Sequence, residues 1–176
     1  MTGSGSGSGR RYVAVVGPSA ATAQQNALAE RLGAELARRG HVVVCGGGGG
    51  VMAAVSRGAA QAGGLVVGLL PGHDRREGNP HLTVAIPTGL GELRNGLVVR
   101  AADAVVAVGG SWGTVSEVAL AVRTGVPVVA IGFWRLHDEA AVHLTDGRHD
   151  DEPAGPRHVA DLAEALAVLD ALLANA

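Results

Sequence analysis

The stretch from Asp103 to Ala119 reads D-A-V-V-A-V-G-G-S-W-G-T-V-S-E-V-A, and it decides the fold. Ala104 to Val108 form a short, continuously apolar run of the kind that makes a buried strand. A glycine-rich turn ends the run, and the apolar residues that follow recur at a helical spacing. A strand that passes through glycines into a helix leaves free N–H groups at the positive helix end. This geometry favours binding of an anion, phosphate above all.

The same succession of strand, turn and helix recurs along the chain. Besides the opening strand, strands are predicted at Tyr12–Val16, Val42–Cys45, Leu65–Leu70, Thr83–Ile86 and Val126–Ile131. Helices are predicted at Thr22–Arg39, Val51–Ala62 and Leu90–Ala101, from the opening turn to Gly125, and along Val159, Leu162, Leu166, Leu169 and Leu173. The segments His73–Pro80 and His137–Pro156 are polar and predicted to be irregular. Because nearly every strand is continuously apolar, we expect a Rossmann-like, doubly wound parallel α/β sheet with helices on both faces.

Length and composition limit the domain count and the class of protein. The 176 residues predict a flexible Gly/Ser tail over residues 1–9, with no apolar core of a signal peptide, and a single domain over residues 10–176. A net charge of −2 and an aromatic content of 2% argue against nucleic acid and membrane partners. Cys45 is the sole cysteine, which fits a reducing, cytoplasmic location.

Three glycine-containing turns are predicted to meet at the carboxyl ends of the strands, where doubly wound sheets bind their ligands. They are Gly17–Ser19, Gly46–Gly50 and Gly109–Thr114. Five consecutive glycines expose backbone amides, so we favour proximity to a phosphate over close packing alone as the reason for that run. No G-x-G-x-x-G follows these strands and no G-x-x-x-x-G-K-[ST] occurs, which argues against an NAD enzyme and a P-loop NTPase.

Several polar side chains near these turns have two interpretations. Thr114-Val115-Ser116-Glu117 matches a capping box, and on spacing alone Glu117 is a helix cap rather than a general base. Arg94 and Arg100 would bind a phosphate if they faced it, or would simply be solvated. Trp112 would pack over a base or fill the turn. Ser19 and Ser111 are hydroxyl donors or ordinary turn residues.

Metal and serine-hydrolase chemistry have little support in the sequence. The seven histidines are scattered, with no cysteine partners, so no protein-ligated metal site is expected. Ser116 has no G-x-S-x-G context and is not expected to be a nucleophile.

Together these residues resemble the LOG ("Lonely Guy") superfamily over Tyr12 to about Ile131. The family pattern P-G-G-x-G-T-x-x-E aligns on Gly109–Glu117, with glycine in place of the proline and Ser111 in place of the second glycine. Gly46–Met52 is similar to the family's G-G-G-x-x-G-x-M motif, with a shifted glycine. Arg94 falls at the position of the family's catalytic arginine, and Arg100 at that of a second common arginine.

The resemblance implies a function and a set of site residues. In the family, the arginine and the glutamate hydrolyse a nucleoside 5′-monophosphate to the free base and ribose 5-phosphate, which would make Arg94 and Glu117 catalytic. Gly110, Gly113 and Thr114 would hold the 5′-phosphate. The other residues expected to contact the ligand are Gly17, Ser19, Gly46, Gly47, Gly48, Gly49, Met52, Arg100, Gly109, Ser111 and Trp112. The resemblance also implies a homodimer, and it implies no required cofactor.

The surroundings of Arg94 change the functional expectation. They read L-R-N instead of the E-R-K of cytokinin-activating members. This combination is more similar to a sister branch of Rossmann-fold nucleotide-binding proteins that includes molybdenum cofactor carriers, which bind a pterin phosphate without cleaving a nucleotide. Two functions therefore stay open for a small phosphorylated ligand: a phosphoribohydrolase, or a non-catalytic carrier of molybdenum cofactor.

Overall fold

The computed structural model describes residues 9–134 and 155–174. Within them, seven strands form one sheet in the order β4-β3-β2-β1-β5-β6-β7, and every neighbouring pair is parallel. The strands are β1 Tyr12–Val16, β2 Val42–Cys45, β3 Val66–Leu70, β4 Val84–Pro87, β5 Ala104–Val108, β6 Val128–Ile131 and β7 Arg157–Val159. The α-helices of this part are α1 Ala23–Arg38, α2 Val51–Gln61, α3 Asn95–Arg100, α4 Trp112–Arg123 and α5 Leu162–Ala174.

Two apolar layers cover the two faces of the sheet. Alternate residues of β5 point to opposite layers: Val106 packs with α1, α2 and α5, and Val105 packs with α3 and α4. All five residues of β5 are buried, because the strand is central and has helices on both sides. The predicted doubly wound, Rossmann-like fold is therefore confirmed.

The segment before β5 departs from the predicted continuous helix Leu90–Ala101. It forms a 3-10 turn over Gly91–Arg94 and then the short helix α3. Gly91 has φ of +56°, outside the right-handed helical region, so an α-helix does not pass through it. The interruption gives Arg94 its place between the turn and the helix.

The carboxyl-terminal part contains a strand that the periodicity did not predict. Val159, expected in the terminal helix, ends β7, and α5 begins at Leu162. β7 pairs only with β6 in the sheet order, and its three residues are exposed or half-buried. Such a short, partly polar edge strand lacks the apolar signature of a buried one.

Two predicted segments lie wholly or mostly outside the described residues. They are the tail over residues 1–9, of which Gly9 is described, and the irregular segment His137–Pro156, of which Gly155 and Pro156 are described. None of the helices in the described part of the chain is long and apolar enough to cross a membrane.

Candidate functional site

The sheet order changes direction between β1 and β5, and a cleft lies at the carboxyl ends of the strands there. Its volume is about 570 Å³. The lining residues are Val15, Val16, Gly17, Ser19, Gly46, Met52, Pro71, Gly91, Glu92, Leu93, Arg94, Asn95, Ser111, Trp112, Gly113, Thr114, Ser116 and Glu117. The three predicted turns thus contribute to one cleft.

The amino-terminal end of α4 forms one wall of this cleft. Ser111 is the N-cap, and its hydroxyl accepts a hydrogen bond from the Thr114 amide at 3.2 Å. Trp112 and Gly113 are the first two residues of α4 and line the cleft. Amides at these positions have no partner within a helix, and the helix end carries partial positive charge. The turn after β5 therefore presents free amides at a positive helix end to the cleft, an arrangement that suits an anion.

The predicted capping box at Thr114 and Glu117 is wrong. Because Ser111 caps the helix, Thr114 is already its third residue and is buried, and Glu117 lies one turn further along. The capping box of the described structure is at the start of α1, where Thr22 and Gln25 bond reciprocally. Spacing alone did not distinguish T-x-x-E from the competing cap three residues earlier. Glu117 is thereby left available to the cleft.

Arg94 and Glu117 face each other inside the cleft. Arg94 Nη1 lies 3.7 Å from Glu117 Oε1, and the two side chains are only 13% and 9% exposed. The same Nη1 donates a hydrogen bond to Asn95 Oδ1. Arg94 Nε is buried without a hydrogen-bond partner among the described residues. A buried guanidinium with an unused donor suits an anionic ligand that completes its bonding.

Burial dominates the chemistry of Glu117. Loss of solvent raises the pKa of its carboxyl from 4.5 to about 7, and the positive charge of Arg94 opposes this only in part. At 3.7 Å the two groups are in electrostatic contact, but they are too far apart for a strong hydrogen bond. Glu117 therefore exchanges a proton near neutral pH. In this state it can donate a hydrogen bond as well as accept one.

The five-glycine run after β2 mostly packs against the protein itself. A Cβ on Gly46 would lie 2.6 Å from Arg94 Nη2 and 2.8 Å from Met52 Sδ, so this glycine makes room for the guanidinium. Gly47 has φ of +74° and lies against the Leu70 side chain. A Cβ on Gly50 would meet the Pro18 and Ser19 carbonyl oxygens. Close packing explains these positions better than the expected phosphate contact does.

Of the predicted residues in this motif, Gly46 and Met52 line the cleft, whereas Gly47, Gly48 and Gly49 do not. Asn79, from the loop between β3 and β4, holds the turn in place. Its Nδ2 donates to the Gly47 and Gly48 carbonyl oxygens, each at 3.2 Å. Asn79 was not predicted, since no motif marks a loop amide that bonds 31 or 32 residues away.

The remaining predicted residues divide between the cleft and its surroundings. Gly17 and Ser19 line the cleft. Gly109 lies against Gln25, and Gly110 lies beneath the Trp134 ring, whose Nε1 would be 2.9 Å from an added Cβ. Arg100 is exposed at the far end of α3 and is not among the lining residues.

Two tryptophans stand at the mouth of the cleft. Trp112 is 79% exposed, and its ring meets Trp134 edge to face, with centroids 5.4 Å apart. Trp112 thus neither fills the turn nor enters the core. Its exposed ring is suited to stacking on a planar heterocycle. Trp134 was not predicted, because only the fold brings the end of β6 beside the turn after β5.

Asn95 and Ser116 are further cleft residues that sequence reasoning did not select. Asn95 follows Arg94 directly in the sequence, and only this adjacency could have identified it as a cleft residue. Among the described residues, no group of three or more His, Cys, Asp or Glu side chains is arranged to hold a metal ion.

Solved structures of cofactor-binding proteins are similar to the whole described fold. A molybdenum cofactor binding protein from the phototrophic bacterium Rippkaea orientalis matches with a TM-score of 0.81 and 30% identity, over 93% of this chain and 98% of that one. The molybdenum cofactor carrier protein of Chlamydomonas reinhardtii matches with a TM-score of 0.79 and 33% identity, over 94% and 99% of the two chains.

Two further proteins are similar to this chain, one in sequence and one in fold alone. An uncharacterized protein of Archaeoglobus fulgidus is 38% identical over 119 residues, which are 68% of this chain and 78% of that protein. DNA processing protein A of Helicobacter pylori, whose structure concerns single-stranded DNA binding, has a TM-score of 0.63 and 20% identity, over 94% and 81% of the chains. At that identity it shares the fold alone.

The family comparison agrees with the structural matches. The model of the SLOG cluster4 family matches residues 10–159, which include all three turns and both Arg94 and Glu117. The resemblance to the LOG superfamily and to its branch with molybdenum cofactor carriers is thereby confirmed. From its sequence and its fold, this chain belongs to the SLOG cluster4 family.

Proposed function

We propose that this protein binds a small phosphorylated ligand in the cleft between β1 and β5, and that it acts as a carrier of a pterin phosphate of the molybdenum cofactor type. The observation that carries the proposal is the buried Arg94, whose Nε has no partner among the described residues, beside the open end of α4. The likeness to two molybdenum cofactor proteins at 30% and 33% identity supports the ligand class.

The cleft offers chemistry for each part of such a ligand. The first amides of α4 and the Arg94 guanidinium suit the phosphate, because both provide N–H donors and positive charge. Trp112 suits the planar ring system. The metal of the cofactor would travel as part of the ligand, so this proposal requires no protein-ligated metal site. In this role Gly17, Ser19, Gly46 and Met52 shape the cleft rather than react.

Glu117 can serve the binding function in its protonated form. A carboxylate that stabilises an oxocarbenium-like state, or that activates water, has to be ionised. With a pKa of about 7, Glu117 is protonated in a large share of molecules at neutral pH. In its protonated form the carboxyl donates a hydrogen bond to a ring nitrogen or to a carbonyl of the ligand.

A second function, hydrolysis of a nucleoside 5′-monophosphate, has one specific observation in its favour. Arg94 and Glu117 line the same cleft, 3.7 Å apart, as expected for the catalytic pair of the LOG superfamily. A carboxyl with a pKa of about 7 also suits proton transfer near neutral pH. This function predicts release of free base from AMP and loss of that release in Glu117→Gln.

The experiment that separates the two functions starts from the purified protein. Small molecules released on denaturation are identified by mass spectrometry, and AMP hydrolysis is followed by chromatography of the free base. The carrier function predicts a retained pterin phosphate and no base. Protein that purifies empty, and that neither binds added molybdenum cofactor nor cleaves AMP, would contradict both functions.

Binding itself has an internal reporter, because the only two tryptophans of the chain stand at the cleft mouth. We expect AMP or cofactor to change their fluorescence. Arg94→Ala should abolish the change, and Arg123→Ala is the matched control, since Arg123 is exposed at the far end of α4. Equal ligand binding by both variants would show that Arg94 does not contribute to binding.

We further propose that the protein is a cytoplasmic homodimer whose partner covers the segment around Arg94. Leu90, Leu93 and Leu97 are 46%, 81% and 43% exposed there. An exposed apolar group of this kind is typical of an interface. Sedimentation should give a dimer for the native protein and a monomer for Leu93→Glu, and a native monomer would contradict this.

A further inference from the structure

Asn95 connects the cleft arginine to the first turn of α4. Arg94 Nη1 donates to Asn95 Oδ1, and Asn95 Nδ2 donates to Ser116 Oγ at 3.2 Å. Ser116 Oγ in turn donates to the Gly113 carbonyl oxygen at 2.7 Å. All three bonds run in one direction, from the guanidinium to the backbone of the anion-binding turn. We call this chain of bonds the Asn95 relay.

The chemistry of the relay restricts which side chain can stand at position 95. The Ser116 hydroxyl proton is used on Gly113, so toward Asn95 the Ser116 oxygen acts as an acceptor. Arg94 needs an acceptor. A carboxamide supplies both groups and carries no charge. An aspartate would accept from Arg94 but neutralise it, and an alanine would leave both partners without their bonds.

The relay also separates Arg94 from Glu117. Nη1 is directed at the Asn95 amide oxygen and stands 3.7 Å from the Glu117 carboxylate. Without that acceptor, Nη1 would be able to close the remaining distance to Glu117 and form a direct hydrogen bond that occupies both groups. Burial raises the pKa of the Cys45 thiol at the end of β2, and the smaller effects of the Arg94 and Glu117 charges on it oppose each other.

We propose that Asn95 is the positioning residue of the anion site: through the relay to Ser116 it holds Arg94 toward the cleft and keeps its contact with Glu117 at 3.7 Å, too long for a strong hydrogen bond. Arg94 and Glu117 then do not use their hydrogen-bonding groups on each other. This inference rests on the proposed binding function, and it adds how the positive charge of Arg94 is kept available to the ligand. Asn95 also lines the cleft, but its action is on Arg94 rather than on a reacting atom.

The first test uses binding of AMP and of inorganic phosphate, measured by calorimetry at pH values on either side of 7. Asn95→Asp is expected to weaken both by about tenfold or more, because a carboxylate neutralises Arg94. Asn95→Ala should weaken them by about three- to tenfold. Gln61→Ala, which removes an exposed amide at the end of α2, is the control. Wild-type affinity in both Asn95 variants would overturn the inference.

The second test needs no ligand. The Glu117 carboxyl is titrated by carbon NMR in the native protein and in Asn95→Ala, with Glu117→Gln to assign the signal. If Arg94 closes on Glu117 in the variant, the pKa should fall from about 7 toward the ordinary 4.5. An unchanged titration in a folded variant would overturn the inference. Ser116→Ala, which breaks the relay one bond further away, should give a smaller fall and serves if Asn95→Ala does not fold.

The two tests distinguish the failure of this inference from that of the proposed function. If the native protein binds neither probe and does not bind added molybdenum cofactor, the proposed function is contradicted, while the NMR titration still decides the role of Asn95. If the native protein binds both probes and the Asn95 variants bind and titrate as it does, only the positioning role is lost.

Discussion

The turn after β2 and the turn after β5 look alike in sequence but do different things. Both follow a buried parallel strand, both are rich in glycine, and both lead into a helix. The β2 turn, Gly46–Gly50, has more glycines, yet only Gly46 of the five lines the cleft. The β5 turn, Gly109–Gly113, has fewer glycines, yet Ser111, Trp112 and Gly113 all line it.

The reason is what lies opposite each turn. The β2 turn is surrounded by the protein's own atoms, namely Leu70, the Ser19 carbonyl and the Arg94 guanidinium, and Asn79 bonds its carbonyl groups. No side-chain hydrogen bond caps the start of α2. In the β5 turn Gly109 and Gly110 also pack against the protein, but Trp112 and Gly113, which follow the Ser111 cap, are exposed. The high glycine content of the β2 turn is therefore explained by close packing, and the proposed anion site lies at the capped start of α4 instead.

The largest effect expected from this difference is on stability at the β2 turn. Gly47→Ala should lower the free energy of unfolding by about 3 kcal/mol, because φ is +74° and the methyl group would meet Leu70. Gly49→Ala is the matched control within the same run. Its Cβ would have the Ser19 carbonyl oxygen at 3.8 Å, an ordinary contact, so we expect a change within about 0.5 kcal/mol. Urea unfolding measures the free energy of unfolding of both variants. Equal losses in the two would contradict the packing role assigned to Gly47.

The next largest effect concerns Glu117, on the helix that follows the β5 turn. Its folded pKa of about 7 lies above the ordinary 4.5, so between these values the folded state binds more protons than the unfolded state. Stability is then lost as the pH rises from 4.5 to about 7. Glu117→Gln should remove this dependence and raise the free energy of unfolding above pH 7 by up to about 3 kcal/mol.

The check is a series of urea unfolding curves across this pH range for the native protein and the variant. Glu92→Gln, at an exposed carboxyl, is the control. If Glu117→Gln is not more stable than the native protein above pH 7, burial of the ionised carboxyl does not destabilise the fold.

A smaller effect is expected at Ser111, where two substitutions test separately its capping of α4 and its place beside the proposed ligand. Ser111→Ala should cost about 1 kcal/mol of stability, since the Thr114 amide loses its acceptor. Ser111→Asp keeps an acceptor at the cap but places a negative charge beside the cleft. It should therefore retain stability and weaken AMP binding, measured by tryptophan fluorescence. Unchanged AMP binding in Ser111→Asp would place the phosphate away from this helix end.

The smallest effect on stability is expected at Gly113. The same substitution, glycine to alanine, can therefore be compared directly between the β5 turn and Gly47 in the β2 turn. A Cβ there would have only Ser111 Oγ nearby, at 3.8 Å, and alanine is the better helix former. Gly113→Ala should leave stability unchanged or raise it by about 0.5 kcal/mol. It should still weaken AMP binding a few-fold, by about 1 kcal/mol at most, because the methyl group faces the phosphate position.

Local sequence patterns were sufficient to predict an element where all the residues that identify it lie within one segment. The apolar runs of β1, β2 and β5 identified buried strands and hence the parallel sheet, because residues covered on both faces have no polar alternation. β7 was missed because an edge strand of three exposed or half-buried residues has no such signature. The motif around Gly113 likewise identified a cleft-lining turn from local sequence, since its serine and glycines adjoin the helix start.

The sequence by itself therefore determined the sheet class, the family and the turns that meet at the cleft. Only the tertiary structure decided which glycines line the cleft, that Ser111 rather than Thr114 caps α4, and that Glu117 lies buried 3.7 Å from Arg94. The physical reason is that burial and charge proximity arise between segments far apart in the chain. Arg94, Asn95, Ser116 and Glu117 come from two helical segments, and no spacing within either one reveals the bonds between them.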